Sequence, residues 1–155
     1  MPSLRHFFDM GMILKLGLYG LGIAALLIGG SMAVFGSNEV VTFFNNTLSL
    51  FYNDGPIVDL ATANVDSELR FYGVMFAFYG CILLQTAQNI DRYFTRIPFL
   101  LTTFALAGFA RLIGFYIVGQ PHTLFIVLMI VEFTLPAVLI ICWYQQKRHF
   151  PQQPL

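Results

Sequence analysis

The stretch ARLIGFYIVGQPHTLFIVLMIVEFTLP, Ala110–Pro136, is apolar almost throughout, yet it holds Arg111 near one end and Glu132 near the other. His122 lies in the turn between them, and Glu68 and Arg70 stand close together earlier in the chain. Three kinds of chemistry suit such a set. Opposite charges in apolar surroundings can pair and fix the register of the helices that carry them. They can receive the polar head of an amphipathic ligand, such as a lipid or a quinone. A glutamate, an arginine and a histidine in series can relay protons. The residue types alone leave these three open.

What positions the five residues follows from composition. The chain has 155 residues, the length of one domain, with 57% hydrophobic and 10% charged. A soluble domain carries about 25% charged residues, so this chain cannot cover its own surface with charge. A membrane is the solvent that remains. Net charge is zero and there is no basic run, which argues against nucleic acid as a partner. Cys81 and Cys142 each sit alone in an apolar run, with neither CxxC nor zinc spacing, and read as small membrane-buried hydrophobes. His6, His122 and His149 fall outside or near the ends of the apolar segments, a poor match to the facing histidines of a b-type haem. There is no phosphate-binding glycine loop, nucleophile elbow or zinc motif. The expectation is a protein without metal or cofactor that is not an enzyme.

A bilayer core takes about 20 apolar residues per helix. Four segments qualify, over about 11–35, 69–88, 97–118 and 123–144. The predicted fold is an all-α four-helix transmembrane bundle. Asp66 or Ser67 can cap the second span, Pro98 suits the first turn of the third, and Pro136 falls inside the fourth and should bend it. The first apolar stretch is too long for the core of a cleaved signal peptide, so it is read as a span. In the connection before the second span, Val40, Phe43, Phe44, Leu48 and Phe51 recur near helical spacing. A helix over Ser37–Tyr52 is therefore expected, lying in the interface or over the bundle mouth. Asn53-Asp54-Gly55-Pro56 reads as a turn.

Arg5, Lys15, Arg92, Arg96, Lys147 and Arg148 all fall on one side of the predicted spans, whereas the Gly36–Ser67 connection has no lysine or arginine. The positive-inside rule then places both termini in the cytoplasm. Arg111 precedes the end of its span at Val118 by seven residues and Glu132 follows the start of its span at Thr123 by nine. At 1.5 Å per residue, the two sit about 10 Å and about 13 Å below the outer ends of adjacent antiparallel helices. Neither belongs in lipid unpaired, where a central charge costs about 2.5–3.5 kcal/mol or more. With Glu68 and Arg70 a turn or two shallower and His122 at the mouth, all five are expected to converge in the outer half of the bundle. Gly17, Gly20, Gly22, Gly29 and Gly30 make the first span a candidate for close helix contact.

The segments NVDSELRFYG, ARLIGFYIVGQPHTLF and IVEFTLPA resemble the domain of unknown function 4345 family, small bacterial inner-membrane proteins of four helices that are DoxX-like in outline. Glu68, Arg70, Arg111, Gly119, Pro121, His122 and Glu132 carry the likeness. The resemblance implies a part in keeping the outer-membrane barrier intact; it supplies no chemistry. Three functions are thus in contention. One is a non-enzymatic envelope protein that binds a lipid or lipid-like ligand. The second is a small carrier or a subunit of a transport assembly. The third is a quinone-linked membrane oxidoreductase. Membrane lipids, a second copy of the chain or another envelope protein are the expected partners.

Overall fold

The computed structural model describes residues 2–49, 51, 55 and 62–147, with residues 2–9 described in their backbone alone. Among the described residues six helices and one 3-10 turn follow one another: α1 (Pro2–Phe35), α2 (Ser37–Leu48), α3 (Ala63–Gln88), α4 (Ile90–Tyr93), the turn Phe94–Arg96, α5 (Ile97–Val118) and α6 (Thr123–Lys147). No strand occurs among the described residues. Four helical segments, Met10–Phe35, Ala63–Gln88, Ile90–Val118 and Thr123–Lys147, are long and apolar enough to cross a membrane. The chain is a multi-pass membrane protein with an all-α bundle of four spans.

The expected limits of the third span hold at both ends, and those of the first and fourth at Phe35 and Thr123. The second span begins earlier than predicted. Thr62, in extended backbone, is the residue at the start of α3, so Asp66 lies within the first turn and Ser67 beyond it. Acidic and hydroxyl residues suit a first turn as well as a cap, and that ambiguity moved the predicted start inward. α2 stops at Leu48 rather than running to Tyr52. The Ser49 hydroxyl bonds back to the Asn46 carbonyl and the Phe51 amide to the Leu48 carbonyl, closing a turn that the helix does not outlast. Tyr52 and most of the predicted turn at 53–56 lie outside the described residues, but Gly55 has the positive φ, 79°, that such a turn demands.

Close antiparallel packing joins α1 to α3, α5 to α6, and α1 to α6. The first contact is made by backbone. A Cβ added to Gly29 would stand 2.5 Å from both the Ala77 nitrogen and the Gly73 oxygen. One added to Gly80 would stand 2.6 Å from the Leu26 nitrogen and 2.7 Å from the Gly22 oxygen. Gly22 and Gly29 are thus set against Gly80 and Gly73, and no larger residue fits at this approach. Gly20 and Gly30 face open space. Between α3 and α5 the filler is aromatic. Phe76, Tyr79 and Phe104 lie nearly parallel, with centroids 6.3 and 6.4 Å apart in sequence, and the Tyr79 hydroxyl donates to the Leu100 carbonyl at 2.7 Å.

The start of α1, the end of α6 and the α3–α5 junction lie at one end of the bundle, the terminal end; α2 and the Gly119–His122 turn lie at the other. The hydrophobic core, including Leu14, Leu18, Leu83, Leu101 and Leu139, fills the half toward the terminal end. A belt of cations on rings closes that end: Arg92 and Arg96 lie over Tyr93, Lys147 over Trp143, and the Trp143 indole donates to the Phe94 carbonyl at 2.9 Å. Such residues mark a membrane–water boundary. Thr86, Thr103 and Thr134 satisfy their hydroxyls on carbonyls one turn back, as lipid surroundings require.

Candidate functional site

Arg111 on α5 and Glu132 on α6 meet. The Arg111 Nε donates to both carboxylate oxygens of Glu132, at 3.0 Å to Oε1 and 2.9 Å to Oε2. The contact follows from the helical rise, since the two residues differ by only about 3 Å in depth, within the reach of an arginine. Gly108, one turn before Arg111, makes it tight: a Cβ there would lie 3.1 Å from the Glu132 Cβ. Phe109 and Phe133 lock edge to face beside it at 5.2 Å.

The partners are unequally covered. The side chain of Glu132 is 9% exposed and that of Arg111 38%. Among the described residues no group accepts from the Nη1 or Nη2 of Arg111, and the Phe125 ring lies 5.8 Å from its guanidinium carbon. Pro136, buried in α6, has no N–H to give the carbonyl four residues back, which belongs to Glu132. Glu132 therefore brings two acceptors to this level of the membrane, a carboxylate and a carbonyl released from the helix ladder.

The other three residues of the expected cluster go elsewhere. Arg70 closes α1. Its Nε bonds Asp66 at 2.7 Å, and its Nη1 donates to the Ala33 and Val34 carbonyls, both at 3.0 Å. These carbonyls end a helix and have no amide partner of their own. Gly36, with φ 92°, passes beneath the guanidinium, where a Cβ would be 2.8 Å from Nη2. Glu68 is exposed on α3 and makes no hydrogen bond or ion pair among the described residues. The expected convergence of five groups thus resolves into a pair and separate parts.

His122 starts α6 and ties down the α2–α3 connection. Its Nδ1 accepts the Leu124 amide at 3.2 Å, so the ring proton sits on Nε2, which donates to the Gly55 carbonyl at 3.1 Å. Asn45 of α2 donates to that same carbonyl at 3.2 Å. One backbone oxygen thereby holds α2, the connection and α6 together across the bundle's far end.

Asp66, Asn45 and Gly55 were not among the expected site residues. The four-residue spacing of Asp66 and Arg70 carries a signal for their pairing; nothing in sequence announces the Asn45–Gly55 contact. Among the described residues no three His, Cys, Asp or Glu side chains gather as metal ligands. No curated protein and no solved structure matches the chain. A family model described as a domain of unknown function matches residues 13–143, nearly the whole membrane bundle, and the chain therefore belongs to the DUF4345 family.

Proposed function

We propose that this protein resides in the bacterial inner membrane and supports the cell envelope by holding a lipid-like amphipathic ligand by its head at the Arg111–Glu132 pair. One observation carries the reading: an arginine well inside a membrane span is anchored through Nε, its Nη1 and Nη2 have no acceptor among the described residues, and its side chain is 38% exposed. A register clamp needs only the salt bridge; exposing further donors at that depth gains nothing for folding. The ligand's apolar body would lie along the lipid-facing surface beside the pair. In the orientation favoured by Arg92, Arg96 and Lys147 at the terminal end, the head faces the periplasmic half. The envelope role rests on what the sequence resemblance implies.

The test is extraction with native lipids followed by mass spectrometry of the intact protein. A lipid-like species should accompany the wild type and be lost from Arg111→Gln, with helicity unchanged. Equal retention by the folded variant would defeat the reading.

A further inference from the structure

The site can be given a ligand chemistry. We infer that the head group held by Arg111 is an oxyanion, a phosphate or a carboxylate, received on the Nη1–Nη2 edge of the guanidinium. This rests on the ligand-binding reading above and adds the charge and shape of the head.

A guanidinium has five N–H donors arranged on a rigid plane. Glu132 occupies the one on Nε, shared between its two oxygens. Four remain on Nη1 and Nη2, without an acceptor among the described residues. Two parallel donors on one edge match a group with two oxygens on one centre, the geometry of carboxylate and phosphate. A neutral carbonyl or hydroxyl uses that edge poorly. A cationic head would meet the like charge of the Arg111 guanidinium, and the Glu132 carboxylate that could offset it is covered, with both oxygens engaged.

There is room for the head. Gly114 lies on the same face of α5, one turn nearer the α2 end, and a Cβ there would meet nothing within 4 Å. The ring of Phe125 flanks the guanidinium from α6. Outside this spot the surface is apolar, with Ile113 and Ile130 exposed on the two helices. Whatever reaches Arg111 from the membrane must carry a hydrocarbon part, so the ligand is an acyl chain ending in an oxyanion. Glu132 is then a positioning residue: it turns the fork outward and, as a negative charge beside the anion, limits how tightly the anion is held.

That opposition gives the test. The full chain in detergent micelles is titrated with palmitoyl lysophosphatidate, palmitate, hexadecanol, hexadecyltrimethylammonium and inorganic phosphate, with binding read by native mass spectrometry. The two acyl oxyanions should bind at least about tenfold more tightly than hexadecanol, as charge-assisted bonds exceed neutral ones by that much. The ammonium amphiphile and inorganic phosphate should not bind. Arg111→Lys keeps the charge but loses the fork, and should weaken oxyanion binding by about tenfold. Glu132→Gln keeps an acceptor for Nε and removes the opposing charge, so affinity should rise by about tenfold or more.

If hexadecanol binds as well as palmitate in an Arg111-dependent way, the oxyanion is wrong while the amphipathic ligand stands. If inorganic phosphate binds as tightly as lysophosphatidate, the oxyanion stands and the amphipath falls. If Glu132→Gln weakens binding in a folded protein, the positioning role is wrong. If no probe binds through Arg111, both readings fail together.

Discussion

Two adjacent glycines on α1 should respond unequally to the same substitution. Gly29 faces α3, and a Cβ there would stand 2.5 Å from the Gly73 oxygen and the Ala77 nitrogen. Ordinary heavy-atom contact begins near 3.5 Å, so the helices would have to part by about 1 Å along that seam. The intruded atoms are backbone and cannot rotate away. Overpacking of this kind costs about 1–3 kcal/mol, and loss of the neighbouring Gly22–Gly80 contact places Gly29→Ala at the upper end, about 3 kcal/mol. Gly30 faces open space, so Gly30→Ala should lie within about 0.5 kcal/mol of the wild type. Unfolding in SDS is the proper assay, followed by circular dichroism and by fluorescence of the single tryptophan, Trp143. Helices persist in that unfolded state, so the intrinsic helix gain of alanine over glycine cancels and packing is what is read. Equal stability of the two variants would refute the backbone seam.

Arg111→Ala or Glu132→Ala strands a charge and should each destabilise the bundle by about 3 kcal/mol, the low end for a buried pair because Arg111 is partly exposed; the exchange Arg111→Glu with Glu132→Arg should recover stability in SDS unfolding but not oxyanion binding. Trp143→Phe removes the indole bond to Phe94 and should cost about 1 kcal/mol in the same assay. Alkaline phosphatase fused after Tyr144 should be inactive and fused near Asp54 active, the reverse pattern overturning the orientation. Spin labels along α2 should show accessibility repeating at about 3.6 residues, since Ser37 and Val40 are buried while Phe43 is exposed; uniform accessibility would detach α2 from the bundle.

The sequence announces the pair and conceals the rest of the far end for one reason. Depth along a helix is fixed by a constant rise, so Arg111 and Glu132 could be placed at one level once the short turn between their helices was recognised. Which way Arg70 turns depends on where α1 ends relative to α3, a tertiary relation. Its pull toward the Ala33 and Val34 carbonyls could not be read from composition. The same limit applies to the glycines. Gly20 and Gly30 are indistinguishable by type from Gly22 and Gly29, and only the placement of α3 separates those in the seam from those outside it. The start of α3 was displaced because its first turns, ANVDSE, are polar enough to pass for a loop.

The Gly55 carbonyl has a bearing on the order of events during synthesis. Asn45, made shortly before it, can engage it while the chain is still short, but His122 lies 67 residues further on. The α1–α3 seam needs nothing beyond Gln88, so the first two spans can join before α5 and α6 have left the ribosome. The tie from Gly55 to His122 closes only once the last helix has begun. It is a late fastening, which distinguishes a finished molecule from a nascent one at the end of the bundle opposite the start of α1.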